Sequence, residues 1–358
     1  MSKNIVIKIP SILDLQSSLK MSIDLASISD VENIAVDFSG VGHVEPFAML
    51  VASSEIQRAV ARNRPAKFEC RNHEKMTYAA HMGFFKAFGI DFGNNPGQAK
   101  GSSRYLPLTI LKCDELRHQA LTEGTEVGNI IEEKSKHLAS MLCNGASGDI
   151  HDTLSYSLRE IMRNVVEHSE ASQIGICAQY WPTQHKVEVA IIDRGVGLRT
   201  TLSRNPHLDV SSDKSAINYA LMPAVSGRAF KGSRTRQRGP WANSGFGLYM
   251  TSRICRNGGN FFIASGDTGM LLTKATEGKR YFSCSYSATA VRLVIKTDQI
   301  ISLAESLKSY REDGYKIQSK YREIVNINPS AASLMLSEDF DLSVWEKIIS
   351  AFSKKQGK

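Results

Sequence analysis

The sequence predicts an α/β (α+β) protein made of two units and a helical tail. Short runs rich in β-branched residues alternate with helical patterns up to residue 298, whereas residues 299–358 carry helical patterns. Within the first 298 residues, the segment 93–103 (GNNPGQAKGSS) combines glycine, proline and asparagine with little apolar content, which is typical of a linker between two units. These boundaries predict units over residues 1–94 and 104–298 and a C-terminal helical extension over 299–358.

Length and composition limit the class of protein. The chain has 358 residues, of which 42% are hydrophobic, enough to give each of two units a core. No run approaches the ~18 consecutive apolar residues that span a bilayer, and the start, MSKNIVIKIPS, lacks the apolar region of a secretory signal. We therefore expect a cytoplasmic protein without a membrane partner. The six cysteines are scattered without a CxxC pair, which favours reduced thiols over metal ligands.

The formal net charge of +8 is concentrated in one part of the chain. Residues 198–244 contain eight basic side chains and two acidic ones, and the densest stretch, SGRAFKGSRTRQRGP, has no acidic residue. Its glycines and serines predict a basic surface loop and not a helix face. A solvated loop and an anion-binding loop both fit this composition.

A predicted helix over 158–170 (LREIMRNVVEHSE) has two distinct faces. One face carries an apolar stripe, formed by Leu158, Ile161, Met162, Val165 and Val166. On another face Glu160, Asn164 and His168 recur every four residues. That second face is either solvated or lines a site; His168 in particular could equally serve as a capping or packing residue.

Two predicted strands follow this helix, over 173–181 (QIGICAQYW) and 186–193 (KVEVAIID), joined by a turn at PTQH. The second strand ends at Asp193, with Gly195 and Gly197 just beyond it. A carboxylate acceptor beside backbone that lacks side chains allows a flat heterocycle to approach closely. Such a site suits an amino-bearing base such as adenine.

A second glycine turn stands before an apolar helical run at 243–250 (NSGFGLYM), where Gly245, Phe246, Gly247 and Leu248 follow one another. A glycine turn at a helix N-terminus offers unpaired N–H groups to phosphate. Near the end of the unit, Thr289 lies in the strand SATAVRLVI, and its hydroxyl can complete the hydrogen bonding around Asp193. The sequence contains no GxxxxGK[ST], which argues against a P-loop nucleotide site.

In their order and spacing, these four elements over residues 104–298 resemble the GHKL ATPases, the superfamily of gyrase, heat-shock chaperone, mismatch-repair and histidine-kinase ATP-binding domains. The resemblance implies an α/β sandwich that binds ATP and Mg²⁺. It implies that Asn164 is the Mg²⁺ ligand, that Glu160 orients or deprotonates the attacking water or hydroxyl, and that Asp193 accepts from the adenine amino group with support from Thr289. The glycine turns would complete the nucleotide site, and the basic segment 198–244 would occupy the position of the ATP lid.

Within that superfamily, the helix over 158–170 is most similar to that of the anti-sigma serine kinases. The N-terminal unit, through NIAVDFSGVGHVEPFAML, resembles the STAS fold of their anti-anti-sigma partners, a mixed sheet flanked by helices. It departs from that fold where the phosphoacceptor serine would lie, because this chain has Glu45, Pro46, Phe47 and Ala48 there. Phe47 has no hydroxyl, so we do not expect the chain to phosphorylate its own N-terminal unit.

The leading hypothesis is a bacterial signalling protein, a slow Mg²⁺-dependent ATPase that presents its STAS-like unit or its tail to a protein partner. One alternative is a serine kinase that acts on a separate STAS partner. Another is a nucleic-acid-associated ATPase, for instance in host defence, whose binding would weaken steeply with salt. A degenerate ATP-binding scaffold is the non-enzymatic alternative. A homodimer is also possible, because the resembling family often couples nucleotide binding to contacts between subunits.

Overall fold

The computed structural model describes residues 4–143, 147–228, 230, 245–274, 278–300 and 302–322, with side chains described up to residue 319. Helices and strands are mixed, and parallel and antiparallel sheets are both present, which confirms the predicted α/β class. Within these ranges, no helix is both long enough and apolar enough to cross a membrane. Residues 323–358 of the predicted C-terminal helical extension lie outside the described residues.

The N-terminal unit contains a parallel sheet and two long helices. Its strands are β1 (Asn4–Lys8), β2 (Ile12–Leu13), β3 (Asn33–Asp37), β4 (His43–Val44) and β5 (Lys67–Arg71), and its helices are α1 (Leu15–Ala26), α2 (Pro46–Arg62) and α3 (Thr77–His81). The sheet order is β1-β3-β5, and β2 pairs with β4 in parallel. Helix α1 begins with a capping box, in which the Ser17 N–H donates to Asp14 Oδ1 at 2.9 Å and the Asp14 N–H donates to Ser17 Oγ at 2.8 Å.

The second unit is built around a five-stranded antiparallel sheet in the order β6-β7-β8-β10-β9. Its strands are β6 (Tyr105–Lys112), β7 (Gln173–Trp181), β8 (Lys186–Asp193), β9 (Asn260–Leu272) and β10 (Lys279–Lys296). Its helices are α4 (Cys113–Thr122), α5 (Val127–Leu142), α6 (Asp149–His168), α7 (Gly197–Leu202), α8 (Asp213–Ala220) and α9 (Gly247–Arg256), and α10 (Leu303–Arg322) follows the sheet. The predicted strands β7 and β8 and the predicted helix α6 are therefore confirmed, and α7 and α8 are short helices for which the sequence analysis made no prediction.

Both faces of this sheet are buried. On strand β8, Val189 and Ile191 belong to the core shared with α5, α6 and α9, while Ala190 and Ile192 belong to the core shared with α1 and α2 of the N-terminal unit. Successive side chains of a strand point to opposite faces, so burial on both sides explains why β7 and β8 read as nearly continuous apolar runs. The site described below lies on the α6 face.

The segment between the two units is closely packed. Gly93 has a φ of +84°, and a Cβ there would overlap the backbone of Ala80. The Asn94 N–H donates to the carbonyl of Ala80 at 3.0 Å, and the Gly97 N–H donates to the carbonyl of Leu108 at 2.7 Å. The predicted linker is thus a fixed connection between units that share a hydrophobic core.

A buried ion pair also joins the two units. The guanidinium of Arg292 donates to Glu188 Oε2 at 2.7 Å, and Glu188 is fully buried. The other oxygen of Glu188 accepts from the Phe47 N–H, in the first turn of α2, at 3.2 Å. A carboxylate is favourable at a helix N-terminus because it satisfies a free N–H and complements the helix dipole. A strand of the second unit therefore caps a helix of the first.

Candidate functional site

A cleft lies between α6, the end of β8 and the start of α9. Four distant stretches of sequence meet there and supply most of the residues that the sequence singled out. Among the described residues, its lining includes Glu160, Asn164, Asp193, Gly245, Gly247, Leu248 and Thr289. Apolar side chains complete the walls, among them Leu198, Leu202, Ile263 and Val291.

Asp193 is the most perturbed acid of the cleft. It is the last residue of β8 and only 3% exposed, and burial raises the pKa of its carboxyl from 3.8 to about 6. Hydrogen bonds limit the rise: Oδ1 accepts from the Gly195 N–H at 2.7 Å and from the Thr289 N–H at 3.4 Å, and the Thr289 hydroxyl lowers the pKa further. At neutral pH the group is mostly ionised, so it is a strong acceptor facing an apolar cleft.

The main chain of Asp193 is held from the opposite side of the sheet. The hydroxyl of Tyr286 donates to its carbonyl oxygen at 2.8 Å, and Tyr286 is 1% exposed. The sequence analysis missed this residue. Tyr286 lies in strand β10, three residues before Thr289, and the pairing of β10 is irregular between the two. The regular alternation of a strand therefore does not indicate that Tyr286 contacts Asp193.

Close packing explains why positions 195 and 197 are glycine. A Cβ on Gly195 would overlap the carbonyl oxygen of Ser169, the residue that ends α6, and the neighbouring Val196 N–H donates to that oxygen at 2.8 Å. Gly197 has a φ of +76°, and a Cβ there would lie 3.0 Å from Ser265 Oγ. Both glycines therefore let the loop after β8 lie tightly against α6 and β9, which fixes Asp193 at the edge of the cleft.

The polar face of helix α6 lines the cleft. Glu160, Asn164 and His168 all line it, and eight residues of helix separate the first from the last by ~12 Å. Glu160 is beside Gly247 at the start of α9, where a Cβ would overlap Glu160 Oε2. The other end of α6 meets the loop after Asp193. The two glycine turns thus lie at opposite ends of one helix face.

Glu160 is partly engaged by its neighbour. Its Oε1 accepts from Arg159 Nε at 3.1 Å and from Arg159 Nη2 at 2.9 Å. Arg159 in turn lies 5.0 Å from the ring centroid of Tyr156. The guanidinium holds one oxygen of the carboxylate and leaves Oε2 directed towards the start of α9.

Asn164 has an unsatisfied amide. Its Nδ2 is buried and has no hydrogen-bond partner in the described part of the chain. An unsatisfied buried donor costs roughly 1–3 kcal/mol. Asn164 is also one of the residues that line the cleft.

His168 is neutral at physiological pH. Burial, together with the positive charges of Arg228, Arg163 and Arg204, lowers the pKa of its imidazole from 6.5 to about 4. Arg163 pairs with Glu167 at 2.9 Å. The imidazole therefore lines the cleft as an uncharged donor or acceptor.

The turn before α9 shapes the second end of the cleft. Gly245 has a φ of +70°, and its carbonyl accepts from the Ala224 N–H at 3.0 Å. Phe246 points away from the cleft, into the side of α10, where its ring centroid lies 5.1 Å from that of Tyr315. A Cβ on Gly314 would overlap the Phe246 ring. The C-terminal helix therefore holds the glycine turn in place from behind.

Part of the basic segment belongs to the described structure. Arg199 donates to the Ser211 carbonyl at 2.8 Å, Arg204 pairs with Glu170, and Ser226, Gly227 and the start of the segment border the cleft. Residue 229 and residues 231–244 lie outside the described residues, so most of the densest stretch and about a third of the predicted lid over 198–244 are not described.

The chain matches no protein-family model, and comparison with curated proteins and with solved structures gives no significant match.

Proposed function

We propose that this chain is a GHKL-type ATP-binding protein that hydrolyses ATP slowly and acts as a nucleotide-driven switch. One observation carries the proposal: Glu160, Asn164, Asp193 and Thr289, which lie far apart in the sequence, meet in one cleft beside the Gly245–Leu248 turn. Each motif alone is common, whereas their convergence on one apolar cleft is a specific arrangement.

The chemistry of the two ends supports this assignment. Asp193 is a buried, ionised acceptor at one end, suited to the amino group of adenine. At the other end, no side chain of the described residues caps the N-terminus of α9, and the positive pole of the helix dipole lies there, an environment that suits phosphate. Glu160, beside that helix start, would orient or deprotonate the attacking water at Oε2. The ~12 Å between the two ends of the α6 face would separate the adenine ring, beside Asp193, from the phosphates, beside the start of α9.

The residues present fit a magnesium nucleotide. Asn164 lines the cleft, and its side-chain amide carries an oxygen, the ligand type that Mg²⁺ takes. No group of three acidic, histidine or cysteine side chains in the described ranges could hold a metal ion unaided. Mg²⁺ commonly uses one or two protein oxygens, water and the phosphates of its substrate. Asn164 would be the protein ligand, and the ion would supply neutralisation of phosphate charge.

The N-terminal unit, proposed to be STAS-like, is an unsuitable substrate for phosphorylation by this chain. Phe47, at the position of the phosphoacceptor, is fully buried, and its N–H bonds Glu188 on the sheet of the second unit. The outer face of the parallel sheet instead presents exposed side chains that a protein partner could contact, namely Asn4, Val6, Lys8, Lys67, Glu69 and Arg71. The alternative, a serine kinase for a separate partner, keeps Glu160 as the base and differs in the acceptor of the phosphoryl group.

The test is a calorimetric titration of ATP with Mg²⁺ into the wild-type chain, with GTP as the matched control ligand and phosphate release measured in the same samples. We expect ATP to bind and phosphate to appear slowly. GTP should bind far more weakly, because guanine has a carbonyl oxygen in place of the 6-amino group of adenine from which Asp193 would accept. If neither nucleotide bound, the proposal would be wrong. Transfer of label to an added partner instead of to solution would favour the kinase.

A further inference from the structure

The loop that follows β8 begins at Asp193 and runs to α7 (the Asp193 loop, residues 193–197). On the side away from the cleft it contacts the N-terminal unit. The Asp193 side chain faces the cleft, while its carbonyl accepts from Tyr286, whose ring lies in the core between the sheet and α2. The loop therefore has one surface towards the cleft and another towards α2. Any displacement of Asp193 on ligand binding acts on both surfaces.

Helix α2 contacts both chain segments that hold Asp193. Its Arg58 donates to Ser287 Oγ and lies 5.8 Å from the ring centroid of Tyr286. In return Arg194, the residue directly after Asp193, donates from Nε to Ser54 Oγ of α2 at 3.2 Å. Helix α2 is therefore joined both to β10, through Arg58, and to the loop after β8, through Arg194.

The same patch contains an acid that depends on these arginines. Glu55 of α2 is 2% exposed, and its Oε1 lies 3.6 Å from Arg58 with no hydrogen-bond partner among the described residues. A buried carboxylate is costly unless positive charge is kept close. A shift of Arg194 or Arg58 would therefore weaken the charge compensation of Glu55 and, with it, the packing of α2 against the sheet.

We propose that α2 of the N-terminal unit positions the Asp193 loop, so that nucleotide binding in the cleft and the packing of α2 are thermodynamically coupled. The inference rests on the proposed function, because it names the part of the fold that senses the occupied site. Coupling free energies are reciprocal: what loosens α2 weakens nucleotide binding, and nucleotide binding stabilises α2 against opening. Arg58 and Tyr286 are positioning residues in this scheme, since neither lines the cleft.

The experiment compares two arginines of one helix. Arg58→Ala removes the contacts with Ser287 and Tyr286 of β10, the strand whose Tyr286 holds the Asp193 carbonyl. The control Arg62→Ala, one turn further along α2, removes a donor to the Leu25 carbonyl at 3.1 Å and leaves the β10 contacts in place. ATP affinity is measured calorimetrically on the full chain, with circular dichroism to confirm folding. We expect Arg58→Ala to weaken ATP binding by roughly five- to tenfold, Tyr286→Phe to weaken it in the same direction, and Arg62→Ala to match wild type.

A second readout separates positioning from general damage. Hydrogen exchange of residues 46–62 is measured with and without ATP; we expect ATP to slow exchange there in wild type and in Arg62→Ala but not in Arg58→Ala. Turnover at saturating ATP should be unchanged in Arg58→Ala. If wild type binds ATP while Arg58→Ala and Arg62→Ala bind equally and α2 exchanges at an unchanged rate, the coupling is wrong and the proposed function stands. If wild type does not bind ATP, both fall.

Discussion

Replacing Asp193 with asparagine removes a carboxylate that burial holds in a costly charged state. Because its pKa rises from 3.8 to about 6 on folding, the folded chain binds more protons than the unfolded chain between these two values. Stability therefore falls as pH increases through that window, and the full cost applies above the folded pKa. At roughly 1.4 kcal/mol per pKa unit, that cost is about 3 kcal/mol at most.

Asparagine keeps the shape of the side chain and an acceptor oxygen for the Gly195 and Thr289 N–H groups, although these bonds weaken without the charge. We expect Asp193→Asn to stabilise the nucleotide-free protein at pH 8 by about 1–3 kcal/mol. The gain should vanish near pH 4, where the wild-type carboxyl is protonated in the folded state. The same change should weaken ATP binding by roughly 10- to 150-fold, the loss of one hydrogen bond to a charged acceptor.

Denaturant unfolding of both proteins at the two pH values measures the effect. Asp37 is a matched control, since it also ends a strand, but hydrogen bonds from Asn72 and Ser39 lower the pKa of its exposed carboxyl. Asp37→Asn should therefore lose stability at pH 8 and approach wild type as pH falls through the folded pKa, the opposite sign. An Asp193→Asn variant that is less stable than wild type at pH 8, or a difference independent of pH, would refute the reasoning.

Three further changes test other parts of the site. Glu160→Gln should preserve ATP affinity and lower phosphate release by about 10²- to 10⁴-fold, because a positioned base is lost. Gly195→Ala should destabilise the chain by about 1–3 kcal/mol or more in denaturant unfolding, since the new methyl overlaps the Ser169 carbonyl. Gly314→Ala should lower both stability and ATP affinity, because overlap with the Phe246 ring outweighs the ~1 kcal/mol that alanine gains in a helix.

Each of these has a result that contradicts it. Loss of ATP binding in Glu160→Gln would assign Glu160 to the structure of the site and not to turnover. The control for Gly195 is Gly40→Ala, where a Cβ would have Ile9 O as its nearest neighbour at 3.9 Å; equal stability of the two variants would remove the packing argument. A Gly314→Ala variant more stable than wild type would mean that α10 does not hold the glycine turn.

The local elements of the site were predictable because their signals are local. The four-residue spacing of Glu160, Asn164 and His168 placed them on one helix face, and that face lines the cleft. The ends of β8 and the start of α9 followed from apolar runs bounded by glycine.

What could not be predicted depends on partners far away in sequence. The glycine at 195 is required by Ser169, and the reach of Tyr286 to Asp193 crosses the sheet. The buried pair of Glu188 and Arg292 also has no local signal, since neither residue type nor spacing reveals that the N-terminus of α2 lies opposite. Spacing reports the periodicity of one element and contains no information on which element covers it.

The shared core of the two units has a consequence for synthesis on the ribosome. Helices α1 and α2 are complete once residue 62 has been made, but the sheet residues that cover them extend to Ala290, more than two hundred residues later. At about 5–20 residues per second, their apolar faces remain uncovered for on the order of 10 to 50 s. The packing of the N-terminal segment is therefore completed only after β10 has been made, when most of the chain has been translated.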